Sequence, residues 1–120
     1  MAHASLQKVV PALPVKDVGE TVNYYCKKLG FSHEWLYGEP AEEGGCRRDE
    51  IHIMFVQEND VSTKGISLLF FVHHIEKLFD ELSEKGVVVV RPLEEYDNGL
   101  REFAITDCNG YNLRFAENHH

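Results

Sequence analysis

The sequence predicts an α+β fold built from two βαβββ modules in tandem, each a curved mixed sheet covered by one helix. Three observations predict it. An apolar stripe at helical spacing occurs twice, at Val22, Tyr25, Cys26 and Leu29 and again at Ile75, Leu78, Phe79 and Leu82. Each stripe is closed by a glycine, Gly30 or Gly86, where a helix end favours left-handed backbone. Each stripe follows one strand-like run and precedes three more. The modules span residues 9–58 and 65–117 of a chain of 120 residues, read as one domain.

The elements follow in order. Residues 8–15 form an apolar strand whose prolines, Pro11 and Pro14, demand an edge or bulged position because each removes a ladder donor. Asp17 caps the first helix, with Glu20 as its capping-box partner. Residues 31–37 form a second strand that sets Trp35 and Tyr37 on one face. Residues 38–45 form a polar, mobile loop, 46–48 a short strand and 50–56 a clear one, with Ile51, Ile53 and Phe55 alternating against His52 and Met54. A polar linker over 57–64 leads to an apolar strand at 66–72. There Ser67, Leu69 and Phe71 share one face, and Leu68, Phe70 and Val72 pack on the helix. One of His73 and His74 caps the second helix; residues 87–90 make a strand, and Asp97-Asn98-Gly99 a turn. The C-terminal strands, 100–106 and 111–116, join through a tight turn from Asp107 to Gly110.

The chain carries 12 basic and 20 acidic residues, a net charge of −8. That balance excludes a nucleic-acid partner, whose phosphates must be neutralised, and suits a cationic ligand at long range. Three cysteines, Cys26, Cys46 and Cys108, lie far apart with no C-x-x-C pair, so neither a disulfide framework nor a thiolate zinc site is indicated. No apolar run reaches the ~20 residues of a membrane span, and no secretory leader is evident, so no membrane partner and a cytoplasmic location are expected. His119 and His120 read as the remnant of a tag and are set aside. With a helix on only one face of each sheet, the other faces form a concave surface that a ligand, a metal or a second chain must fill. A homodimer is expected on this ground.

Several segments carry a family resemblance: 10–18 (VPALPVKDV), the helix end Leu29-Gly30-Phe31, and Arg101-Glu102-Phe103-Ala104 before Asp107-Cys108-Asn109-Gly110. As an ordered set they resemble the vicinal oxygen chelate superfamily of glyoxalases, extradiol dioxygenases, fosfomycin-resistance enzymes and bleomycin-resistance proteins. They look most like the bleomycin-resistance branch. The resemblance implies four metal-ligand positions in the enzymes, here Val10, His52, Ser67 and Arg114. Only His52 is a good ligand; valine offers no donor, serine is a poor one and arginine is a fixed cation. Bleomycin-resistance proteins lack the metal and resemble domain-swapped dimers that sequester a drug in two grooves. The same is expected here: a metal-free, cofactor-free, non-catalytic dimer that sequesters a small molecule, cationic or aromatic.

The candidate ligand contacts are Trp35 and Tyr37 as stacking platforms, with His52, Met54, Phe71, Glu102, Asn112 and Arg114 lining the cavity. Arg114 either grips a carboxylate or phosphate or pairs with a neighbouring acid such as Glu102. Two alternatives stand beside this reading. One is a metal-dependent lyase, isomerase or dioxygenase with ligands such as His52, His73 or Glu117 in another register. The other is a ligand-free scaffold closed by self-association. The short segment between Val87 and Gly99 departs from known resistance proteins, so the resemblance does not make bleomycin the ligand.

Overall fold

The computed structural model describes residues 2–97 and 99–117. Asn98 of the expected turn and the terminal His119 and His120 lie outside the described residues. The order is β1(Ala12–Val15), α1(Val18–Lys28), β2(Ser32–Tyr37), β3(Glu43–Arg48), β4(Ile51–Gln57), then β5(Ser67–Phe71), α2(Ile75–Glu84), β6(Val88–Glu95), β7(Arg101–Thr106), β8(Asn112–Glu117). Two four-stranded mixed sheets result, ordered β1-β4-β3-β2 and β5-β8-β7-β6. In each, the first strand runs parallel to the last and the other pairs are antiparallel. This is the α+β architecture expected.

Local chemistry explains most of the element ends. Asp17 Oδ1 accepts the Glu20 N–H at 2.9 Å, which satisfies a donor that the first turn of α1 leaves unpaired. At the other end Gly30 takes φ +74°, and the Phe31 N–H returns to the Tyr25 carbonyl at 3.1 Å. The start of α2 corrects the expected histidine cap. His74 occupies the N-cap position at φ +58° but makes no side-chain cap bond. Glu117 Oε2, from the end of β8, instead accepts the Ile75 N–H at 2.6 Å. A carboxylate there also complements the partial positive charge of the helix N-terminus.

Three strand boundaries differ from expectation. β1 begins only at Ala12, after Pro11, so Val10 lies outside the ladder. β3 begins at Glu43, so Glu43, Gly44 and Gly45 are strand rather than loop. The glycines belong there for steric reasons. A Cβ on Gly44 would lie 2.7 Å from Val18 Cγ1, and one on Gly45 would lie 2.6 Å from Trp35 Nε1. β6 runs on to Glu95 through two register shifts against β7.

The core lies between each sheet and its helix and continues across both halves, from Val15, Tyr25 and Phe55 to Phe103, Tyr111 and Leu113. Hydrogen bonds latch the halves together: Tyr25 Oη to Asp107 Oδ2 at 2.6 Å, Tyr111 Oη to the Pro14 carbonyl at 2.6 Å, and Lys28 Nζ to the Lys85 carbonyl at 2.8 Å. A two-pronged ion pair from Arg48 to Glu81, 2.7 and 2.9 Å, joins β3 to α2.

The far faces of both sheets are uncovered. The surface of 8160 Å² exceeds by about 1,500 Å² the value of about 6,600 Å² usual for a folded chain of 13.8 kDa. The radius of gyration, 15.5 Å, likewise exceeds the roughly 14 Å of a compact chain this long. The exposed segment 2–9 contributes to that excess.

Candidate functional site

Strand register builds the two open faces row by row, because directly opposed residues point the same way. On the first sheet Trp35 opposes Gly45, Gly45 opposes Met54, and Met54 opposes Ala12. The neighbouring row carries Tyr37, Glu43, Val56 and Pro14. Arg47 and His52 form the next row on the other side. Trp35, Tyr37, His52 and Met54 therefore share one face. Trp35 is 44% exposed and Tyr37 66%, while His52 and Met54 are half-buried. The absence of a side chain at Gly45 lets the Trp35 indole lie down against the sheet.

On the second sheet the rows are Ser67, Asn112, Thr106 and Val88; Leu69, Arg114, Ala104 and Arg91; and Phe71, Ala116, Glu102 and Glu94. Phe71, Glu102, Asn112 and Arg114 thus also share one face. Phe71 is 62% exposed and borders a cleft of about 470 Å³ between the halves, with Phe31, Ile51 and His73 among its other walls. The eight expected residues fall on two faces, four on each.

Arg114 pairs with Glu102, the acid weighed for it from sequence. Its Nη2 donates to both carboxylate oxygens, at 2.7 and 3.0 Å. Glu102 has no exposed surface at all and accepts a further contact from Arg91 Nη1 at 3.5 Å. Arg91 in turn lies over the Tyr96 ring, 3.6 Å from its centroid. Arg114 Nε is buried without a hydrogen-bond partner. Arg91 and Tyr96 escaped the sequence reading; a lone arginine before Pro92 in an edge strand gave no signal of convergence on Glu102.

The donors at the metal-ligand positions do not fit a divalent ion. Val10 has no donor, Ser67 opposes Asn112 rather than Arg114, and the Arg114 guanidinium is a cation bound to Glu102. Among the described residues no group of three or more His, Cys, Asp or Glu side chains is placed to hold a metal. The thiols stand apart from this surface. Burial pushes Cys46 up to about 12 and Cys108 up to about 11, so both stay protonated and unreactive at neutral pH.

The family model described as the Glyoxalase/Bleomycin resistance protein/Dioxygenase superfamily matches residues 3–115. No curated protein matches the sequence. Among solved structures, the bleomycin-binding protein from bleomycin-producing Streptomyces verticillus, complexed with copper(II)-bleomycin, is similar at 22% identity. Its TM-score is 0.79, with 98% of this chain and all (100%) of that one covered. A glyoxalase-related enzyme from Clostridium phytofermentans is similar at 20% identity and a TM-score of 0.79, covering 96% of this chain and 97% of that one. A bleomycin resistance determinant encoded on the transposon Tn5 is similar at 18% identity and a TM-score of 0.78, covering 96% and 100%. Identities this low establish a shared fold. No helix among the described residues is long and apolar enough to cross a membrane.

Proposed function

The chain belongs to the glyoxalase/bleomycin resistance protein/dioxygenase superfamily, and from that premise we propose that it is a non-catalytic, metal-free dimer that sequesters a small aromatic molecule, as bleomycin-binding proteins sequester their drug. The observation that carries this reading is the state of Arg114. It occupies a position that the family resemblance implies for a metal ligand, and its Nη2 donates to both oxygens of Glu102. A fixed cation there repels a metal and leaves the face for binding.

The dimer reading rests on surface. Trp35, Tyr37, Leu69, Phe71, Val88 and Val90 are exposed on sheet strands. Opposing the first sheet of one copy to the second sheet of another closes both faces into two grooves. Exposed Leu6 and Val9 in the extended N-terminal segment give a swapped strand something to bury against the partner.

Native mass spectrometry of the whole protein, followed by addition of zinc or manganese, tests the reading. A dimer that retains no metal, and binds bleomycin or another aromatic ligand with a change in Trp35 fluorescence, supports it. One tightly held divalent ion per subunit overturns it in favour of an enzyme. A dimer with no space for any ligand overturns it in favour of a scaffold.

A further inference from the structure

The second open face carries two arginines, Arg114 and Arg91, and two acids, Glu102 and Glu94, and both arginines pair with Glu102. Two guanidiniums, Arg114 and Arg91, converge on the single carboxylate of Glu102. That carboxylate has no exposed surface, so a ligand in the groove meets the arginines rather than the acid, and its single charge offsets one of the two guanidiniums and leaves the cluster one positive charge. Arg114 and Arg91 keep 31% and 44% of their side chains exposed. Glu94, opposite Glu102 on the edge strand, makes no ion pair with either arginine among the described residues. Tyr96 holds Arg91 from the side and adds no charge.

Resting on the binding-protein reading above, we infer that the ligand of this groove carries an anionic group, a carboxylate or a phosphate, held by Arg114 and Arg91. The net charge of −8 acts against this only at long range. At ordinary ionic strength that field is screened within about 10 Å. Inside a groove, where water is partly excluded, the two nearest guanidiniums decide the sign. Arginine also offers paired, planar donors suited to carboxylate and phosphate oxygens. The aromatic body of the ligand lies on the apolar neighbours in the same rows, Leu69 and Phe71. A cationic ligand would have to displace or face both arginines.

Calorimetric titration of the full-length protein with matched naphthalene probes tests the inference: 2-naphthoate, 2-naphthyl phosphate, 2-naphthylmethanol and 2-naphthylmethylammonium. One of the two anions is expected to bind at least about tenfold tighter than the ammonium, the usual worth of a charge-assisted hydrogen bond. The carboxylate and phosphate arms identify which anion the site takes. Arg91→Gln is expected to cut the ratio of anion affinity to neutral-alcohol affinity severalfold. Glu102→Gln, which removes the competing negative charge, is expected to raise anion affinity. Should Arg91→Gln fail to fold, the Glu102→Gln titration alone decides the matter. Equal binding of all probes, or tighter binding of the ammonium, overturns the anion inference and leaves the binding-protein reading intact. No saturable binding of any probe overturns both.

Discussion

The Tyr25 hydroxyl donates to Asp107 Oδ2 at 2.6 Å, across 82 positions of sequence, and so ties α1 of the first half to the β7–β8 turn of the second. Asp107 is at the same time the organiser of its own turn. Its Oδ1 accepts the Asn109 and Tyr111 N–H groups, both at 2.9 Å. One carboxylate thus shapes a hairpin and joins two modules.

Tyr25→Phe removes the hydroxyl and leaves Asp107 Oδ2 buried without its donor. The hydrogen bond is fully buried and its acceptor is charged, so the loss is expected at about 1.5–3 kcal/mol. Urea unfolding measures it. A change below about 0.5 kcal/mol would show that the halves do not depend on this latch.

Alkaline pH is expected to destabilise the protein earlier than tyrosine ionisation alone suggests. Burial raises Cys46 from 9.0 to about 12 and Tyr24 from 10.0 to about 12. Tyr25 is raised well above 10.0, by burial first and then by Asp107. Groups raised in the folded state bind more protons there than when unfolded. Their stabilisation is complete below the unfolded values and is lost as pH rises toward the folded ones. Stability should be flat up to about pH 8.5 and then fall from 9 upward, by as much as ~1.4 kcal/mol per pH unit for each group still protonated. Thermal melts from pH 7 to 11 follow the slope, and a flat profile beyond pH 10 contradicts it.

The Arg48–Glu81 ion pair separates two roles. Both side chains are about a third exposed, so the pair itself contributes roughly 0.5–1 kcal/mol. Arg48 also donates to the Leu29 carbonyl at 2.8 Å, at the end of α1. Arg48→Ala is therefore expected to cost about 1 kcal/mol more than Glu81→Ala. The arginine holds the Glu81 carboxyl below its usual value, so its stabilisation is present above about pH 4.5 and lost as pH falls further. A double-mutant cycle at pH 7 and pH 3.5 gives the coupling energy, which should be smaller at the lower pH.

The periodic parts of this fold were legible in the sequence, and the places where backbones meet were not. Both helices, their closing glycines and the Asp107–Gly110 turn follow from spacing and φ preference, which are local. Glu43, Gly44 and Gly45 looked like loop because their composition is polar and glycine-rich. Their strand character comes from pairing with β2 and β4 and from the need to admit Val18 and Trp35 closely. Adjacent glycines beside an aromatic strand were a signal of close approach that went unused. Glu117 replacing a histidine cap is equally non-local, since β8 reaches α2 only in the folded chain. For the site, period two set the sharing of faces correctly within each strand. The convergence of Arg91 on Glu102 depends on a bulged edge strand whose register no spacing reveals.

Gly45→Ala tests the bed on which Trp35 lies. The new Cβ would sit 2.6 Å from Trp35 Nε1 and 2.8 Å from the Ile53 carbonyl. The indole can lift; the carbonyl, part of the β4 backbone, cannot move freely. A loss of about 1–3 kcal/mol is expected, with the emission of Trp35 shifted to longer wavelength as the ring moves into water. Stability lost without a spectral change would place the whole strain in the backbone.

The Glu102 cluster makes the last prediction, an asymmetry between its two arginines. Arg114 contacts both oxygens, at 2.7 and 3.0 Å; Arg91 contacts one, at 3.5 Å. Removing Arg114 strands a carboxylate with no exposed surface, and the remaining arginine is too distant to satisfy it. Arg114→Ala is expected to cost about 2–4 kcal/mol, discounted from the full buried-pair value because the guanidinium reaches solvent. Arg91→Ala should cost less than about 1 kcal/mol. Replacing Glu102 and Arg114 together by leucine and methionine should recover most of the larger loss, since well-packed apolar residues can stand in for a buried pair. Urea unfolding of the three variants gives the order. If Arg91→Ala proves the more damaging, Glu102 is held mainly from the edge strand and the pairing described for Arg114 is secondary.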